Sequence, residues 1–243
     1  MAIKTYELCK EYKDVKAVDR LSLEISENEI FALLGVNGAG KTTTVKMLSC
    51  LTRPTSGDAE VMGYSVTKEP EKVKSVIDIS MQETAIGRNL TVMENLKFYA
   101  KIRGLDEAAA KERIDEMINA FGFEKVLKKR GKTLSGGWQR KLSIAMALLS
   151  KPKVLFLDEP TLGLDVLARH ELWDMIRRLR GGTTVVLTTH YMEEAEKLSD
   201  RIGIMKEGRL IAVGTAESFI QNTGCANFED AFIATVTEGG LKL

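Results

Sequence analysis

Apolar positions along the chain fall into two kinds of pattern. Leu21-Ser22-Leu23-Glu24-Ile25-Ser26 alternates strictly, which is the period of a half-buried strand. Ile30-Phe31-Ala32-Leu33-Leu34 is instead an unbroken apolar run that stops at Gly35. Such a run reads as a strand buried on both faces, as in a parallel sheet. Val154-Leu155-Phe156-Leu157 repeats it, and Thr183-Thr184-Val185-Val186-Leu187-Thr188-Thr189-His190 forms a third, β-branched version. Each is followed by a stretch able to form a helix, and this alternation predicts a parallel α/β core. Ile202-Gly203-Ile204-Met205 and Arg209-Leu210-Ile211-Ala212-Val213 flank Lys206-Glu207-Gly208, a hairpin signal that adds antiparallel strands to the sheet.

From residue 83 to 150 the period changes. Ile114, Met117, Ile118 and Phe121 recur at helical spacing, and Leu142, Ala145, Met146 and Leu149 repeat it. Each set is one apolar stripe packed on a core. The expected organisation is one cassette over 1–243. Residues 1–82 and 151–215 form the α/β core with its antiparallel strands, 83–150 a helical subdomain, and 216–243 a C-terminal extension. Phe219, Phe228 and Phe232 predict that the extension packs on some surface, the same cassette being one candidate. The five basic residues between Lys125 and Lys132 read as a solvated loop.

Composition narrows the classes. At about 150 residues per domain, 243 residues correspond to one large domain or one with a subdomain. Lys+Arg 35 against Asp+Glu 34 lacks the basic excess of a nucleic-acid binder, so no nucleic-acid partner is expected. No stretch of 18 apolar residues occurs, so no helix is expected to span a bilayer. Lys4, Glu7 and Lys10 interrupt any signal-peptide core, so the chain is expected to stay in the cytosol. Cys9, Cys50 and Cys225 are scattered, which suits reduced thiols. His170 and His190 lack neighbouring ligands for zinc.

The candidate chemistry begins where the first buried strand ends. Gly35-Val36-Asn37-Gly38-Ala39-Gly40-Lys41-Thr42 has the spacing G-x-x-x-x-G-K-[ST]. Its glycines let successive backbone N–H groups face a phosphate. The helix that follows adds its positive N-terminal end. Lys41 is expected to reach the β- and γ-phosphates, and Thr42 to place its hydroxyl on Mg²⁺, with Thr43 beside it. The glycine spacing does not fit a dinucleotide fingerprint. The strand Val154 to Leu157 ends in Asp158-Glu159-Pro160, and carboxylates at that end of a parallel strand face the ligand crevice. Asp158 is expected to complete the Mg²⁺ shell, and Glu159 to act as general base on the attacking water.

A phosphate loop and an acidic strand end define only a broad class of NTPases. Leu134-Ser135-Gly136-Gly137-Trp138-Gln139-Arg140 resembles the signature of ABC transporter ATPases, and further landmarks follow in that family's order over about residues 3 to 215. The resemblance implies a P-loop NTPase (RecA-like) mixed sheet with an N-terminal antiparallel β subdomain and an inserted α-helical signature subdomain. It implies that Tyr12 stacks on adenine and that Gln82 joins the two lobes and reaches nucleotide and metal. It places Leu162-Gly163-Leu164-Asp165 at a dimer seam and makes His190 the switch histidine. Without that context Asp165 reads as a helix N-cap and His190 as an ordinary residue at a strand end. Lys41, Glu159 and His190 are then the catalytic set. ATP would be cradled by residues 35–43 (Gly35, Val36, Asn37, Gly38, Ala39, Gly40, Lys41, Thr42 and Thr43) with Asp158. Ser135, Gly136 and Gly137 would complete the site of a second cassette in a homodimer. Residues 83–103 would dock a separate membrane permease, placing the chain on the inner face of the membrane. Lys41 to Leu48, Pro54-Thr55-Ser56-Gly57 and Thr189 to Glu196 resemble most the stand-alone ATPase subunits of bacterial ABC-2-type exporters. The alternative is an ABC-type ATPase without transport. Trp138 stands where the signature usually has Gln, and Asn28 where a pre-strand turn mostly has Gly; Asn tolerates positive φ.

Overall fold

In the computed structural model, which describes residues 1–237, the N-terminal polar–apolar alternation forms antiparallel ribbons. Strands β1 (Ile3–Tyr12), β2 (Val15–Leu21) and β3 (Glu24–Ile25) come first. The apolar run is β4 (Ile30–Leu34), and the phosphate loop leads from it into α1 (Lys41–Leu48). Then follow β5 (Ser56–Val61), β6 (Tyr64–Ser65), α2 (Pro70–Val76) and β7 (Ile77–Ser80). Helices α3 (Val92–Ile102), α4 (Glu107–Phe121) and α5 (Gly136–Leu148) fill the middle of the chain. It closes with β8 (Val154–Asp158), α6 (Val166–Arg177), β9 (Thr184–Thr189), α7 (Met192–Leu198), β10 (Arg201–Lys206), β11 (Arg209–Gly214), α8 (Ala216–Thr223) and α9 (Phe228–Thr237).

Two sheets result, and both types foreseen from the sequence are present. The first runs β2-β1-β5-β6, with β3 on β1, and its pairings are antiparallel. The second runs β11-β10-β4-β9-β8-β7 and is parallel except for the β10–β11 hairpin. Every residue of β4, β8 and β9 is buried, as an unbroken apolar or β-branched run requires. Because β9 lies between β4 and β8, the segment after β9 emerges between the phosphate loop and the acidic end of β8.

The strand expected over 21–26 is broken. Leu21 ends β2, and only Glu24 and Ile25 form β3. The burial still alternates, with Leu21, Leu23 and Ile25 inside. The ladder is interrupted by a side chain: the buried Thr5 hydroxyl donates to the Leu21 carbonyl at 2.8 Å and accepts from the Leu23 N–H at 2.8 Å. A hydroxyl thus replaces strand pairing and satisfies both main-chain groups. The turn before β4 forms with Asn28 at φ 61°, within the range Asn tolerates.

The helices carry the capping their sequences encode. Thr91 and Glu94 form a reciprocal capping box on α3, and Asp106, Ser135 and Asp165 cap α4, α5 and α6. The stripe of α4 (Ile114, Met117, Ile118, Phe121) is buried as expected. Helix α5 departs from a one-stripe pattern, since all residues from Arg140 to Leu148 are buried. It packs on α3 and α4 on one side and on β7 and β8 on the other. At roughly 1.5–3 kcal/mol for each large apolar side chain, this helix is a principal weld between sheet and helices. Lys128, Lys129, Arg130 and Lys132 are exposed, between buried Val126 and Leu134.

The C-terminal helices fold back on the chain. Phe219 of α8 and Phe228 of α9 are buried with ring centroids 6.0 Å apart, and α9 packs against α7 and β10. Residues 238–243 of the expected extension lie outside the described residues. Among the described residues no helix is long and apolar enough to cross a membrane.

Candidate functional site

A cleft of about 630 Å³ opens at the carboxyl ends of the parallel strands, the place where open α/β sheets bind ligands. Tyr12, Asn37, Gly38, Ala39, Gly40, Lys41, Thr42, Thr43, Gln82 and Glu159 all line it. The loop is pinned at its start by a hydrogen bond from the Gly35 N–H to the Thr189 carbonyl. At its end Gly40 adopts φ 100° and opens α1, which aims the helix N-terminus into the cleft. Lys41 is 5 % exposed, and its Nζ donates to the Gly35 carbonyl at 2.7 Å and the Val36 carbonyl at 3.3 Å. The same Nζ lies 3.4 Å from Glu159 Oε1.

The end of β8 is built with equal economy. Asp158 Oδ1 accepts from the Thr42 hydroxyl at 2.9 Å and from the Thr188 hydroxyl at 2.6 Å. Its other oxygen, Oδ2, is buried with no hydrogen-bond partner among the described residues. An orphaned carboxylate oxygen beside a phosphate-loop hydroxyl fits a Mg²⁺ held by one carboxylate plus substrate phosphates. Glu159 sits at φ 48°, a left-handed conformation costing about 1–2 kcal/mol for an L-residue. Its N–H donates to the carbonyl and hydroxyl oxygens of Thr188, which holds it there. Its Oε2 is 2.8 Å from His190 Nδ1. His190 follows β9, so the strand order itself delivers the imidazole to the carboxylate at the end of β8.

Tyr12 sits at the outer rim, 45 % exposed, with Lys10 Nζ 4.9 Å from its ring centroid. One ring face is thus taken by a cation. If the ring stacks on adenine, Tyr12→Ala raises the ATP KM by about 5- to 150-fold, the equivalent of 1–3 kcal/mol, and leaves kcat near the parent value. Steady-state kinetics checks this; a fall in kcat at unchanged KM contradicts it.

Ser135, Gly136 and Gly137 do not line this cleft. Ser135 caps α5 by accepting from the Trp138 N–H. The Gly137 Cα is close enough to Ala168 that an added Cβ would meet that side chain at 3.1 Å, so the signature rests on the start of α6. Asp165 serves as the N-cap there, accepting from the Ala168 N–H at 2.9 Å. Trp138 packs its ring on Phe123 at 6.0 Å and carries Lys141 Nζ at 4.7 Å. The unusual Trp thus serves helix packing, while Gln139 donates to the Gly131 and Leu134 carbonyls and shapes the loop before the signature.

Several site residues carry no sequence signal of their own. Val15, Lys16 and Ala17 from β2 and Glu207 from the hairpin turn line the cleft, because the Gly208 N–H donates to the Ala39 carbonyl and draws the hairpin onto the loop. Thr188 is one more β-branched strand residue until its hydroxyl meets Asp158. Glu194 of α7 is fully buried, and its Oε1 accepts from the Thr161 hydroxyl at 2.7 Å and the Trp173 Nε1 at 3.1 Å. Burial pushes its carboxyl above the usual range, opposed by those hydrogen bonds.

The chain matches the profile of the family described as ABC transporter over residues 18–162, and an AAA domain profile over 132–194. It is 43 % identical over 224 residues to the daunorubicin/doxorubicin resistance ATP-binding protein DrrA of Streptomyces peucetius, covering 92 % of this chain and 68 % of that one. It is 41 % identical over 216 residues to the linearmycin resistance ATP-binding protein LnrL of Bacillus subtilis (strain 168), covering 88 % and 70 %. A solved structure described as the ATP binding subunit of an ABC transporter superposes with a TM-score of 0.85 at 28 % identity, over 96 % of this chain and 99 % of that one.

Proposed function

The chain belongs to the ABC transporter family as an ATP-binding, ATP-hydrolysing subunit, and from that premise we propose how its residues divide the work. The observation that carries the reading is one set of contacts on residues of the cleft, Lys41 and His190 on Glu159 and Asp158 on Thr42, with the signature left outside it. ATP lies with its phosphates over the 35–43 loop and Lys41, and its adenine against Tyr12. Thr42, Asp158 and Gln82 would hold Mg²⁺, which would neutralise phosphate charge during transfer. Glu159 takes a proton from the attacking water, and His190 orients that carboxylate and faces the γ-phosphate.

Because the signature points elsewhere, one chain holds two half-sites. Two copies related by a two-fold axis would each close the other's cleft with Ser135, Gly136 and Gly137. A separate permease would dock on the segment 83–103, where Phe98 and Ile102 lie one helical turn apart on α3 and are 56 % and 60 % exposed. That partner would bring the chain to the inner face of the membrane, in an export role like that named for the drug-resistance relatives.

The test is the concentration dependence of hydrolysis. If a second copy completes the site, specific ATPase activity rises with chain concentration and levels off as dimers form. Constant specific activity from nanomolar to micromolar chain, with a monomeric mass in ATP, contradicts the composite site.

A further inference from the structure

We propose that Arg140 is the positioning residue that ties this chain's signature helix to Gln82 of its own cleft; the inference rests on the reading that Gln82 works in ATP turnover. Arg140 lies five residues after Ser135, about 7.5 Å along α5 at 1.5 Å per residue. Its side chain is buried, and its guanidinium makes two short hydrogen bonds to consecutive main-chain carbonyls. One nitrogen donates to Met81 at 2.6 Å and the other to Gln82 at 2.5 Å.

Three features mark this contact as more than packing. Residues 81–90 contain no helix or strand, so nothing regular holds Gln82 once β7 ends at Ser80. A planar fork gripping two successive carbonyls sets the direction of that backbone in a way a point donor cannot. The buried cation is also costly: desolvation lowers the Arg140 pKa, and the charges of Asp158 and Glu194 oppose this. A buried guanidinium is thus committed to the loop that carries Gln82.

The same face of α5 makes a second attachment one turn further on, where the Ser143 and Ser80 hydroxyls are 2.8 Å apart. Helix α5 is thus fastened to the end of β7 and to the two residues beyond it. Any displacement of its N-terminal end, where Ser135 caps the helix, is transmitted as a rigid-body shift to Gln82.

The test compares Arg140→Met, Arg140→Lys and Gln82→Ala with the Arg140→Met/Gln82→Ala double variant. Amide hydrogen exchange and ATPase kinetics are both measured, with Ser143→Ala as a packing control. We expect Arg140→Met to speed exchange over 81–86 by about tenfold or more, to lower kcat by at least tenfold, and to leave the ATP KM within about twofold. Arg140→Lys falls between it and the parent. The double variant is no slower than Gln82→Ala, because residues acting in series are not additive. Ser143→Ala lowers Tm without the kcat effect, because it loosens α5 from β7 and leaves the Arg140 grip on residues 81 and 82 in place. Additive losses in the double variant, or unchanged kcat and exchange in Arg140→Met, overturn the proposal; if Arg140→Met does not fold, Arg140→Lys at parental kcat and exchange does the same. A Gln82→Ala variant with parental kinetics overturns the reading of Gln82 and the proposal with it, whereas an impaired Gln82→Ala beside a parental Arg140→Met overturns the proposal alone.

Discussion

Glu159→Gln lowers steady-state ATP hydrolysis by about 10²- to 10⁴-fold, the range expected when a general base is removed, and leaves ATP binding in place. The amide has nearly the volume of the carboxylate and keeps an oxygen for His190 Nδ1, now 2.8 Å from Oε2. It cannot accept a proton from water at neutral pH. Lys41 loses one partner but keeps the Gly35 and Val36 carbonyls, so the phosphate loop holds its shape. With hydrolysis blocked and binding intact, the ATP-bound pair has no exit, and gel filtration in Mg-ATP shows twice the monomer mass. Parental turnover removes Glu159 from the base role, and a variant that stays monomeric in ATP contradicts the closed pair.

Gly40→Ala abolishes tight ATP binding, with more than a tenfold rise in Kd and a lower Tm. Two independent terms act at this position. A φ of 100° penalises any L-residue by about 1–2 kcal/mol. A Cβ here would also stand 2.4 Å from the Ala17 carbonyl oxygen of β2, a main-chain atom that cannot rotate away. Relief requires α1 to back off from β2, which carries Lys41 and Thr42 out of line with Asp158. Gly38→Ala separates the two terms. It has φ 83° but nothing within 4 Å of its Cβ, so it pays only the conformational cost and loses less affinity. Isothermal titration of both variants with ATP checks the order; equal losses would show that the approach to β2 is not what Gly40 is for.

Most of the fold was legible because its signals are local. The apolar run 30–34, the strand 154–157 and the β-branched strand 184–189 lie where the residues predict them, since a doubly buried strand admits little else. The hairpin around Lys206-Glu207-Gly208 and the stripes of α4 and α5 are equally local. The strand expected over 21–26 was broken because Thr5, sixteen residues before Leu21, supplies a hydroxyl that no periodicity reveals. Helix α5 showed one stripe in sequence yet is buried all round, because it is covered from two sides by elements distant in the chain.

The sequence by itself determined the parts of the chemistry: a glycine-spaced loop after a buried strand, two carboxylates at a strand end, and a serine–glycine helix start. What only the tertiary structure decided is how they meet. The order β4-β9-β8 brings His190 and Thr188 between the phosphate loop and the acidic pair, places Lys41 against Glu159, and holds Glu159 in a left-handed conformation. The same packing folds β2 and the β10–β11 turn over the loop, and seats Arg140 under Gln82. These contacts join residues tens to more than a hundred positions apart, and strand order follows from the packing of the whole sheet rather than from any window of residues.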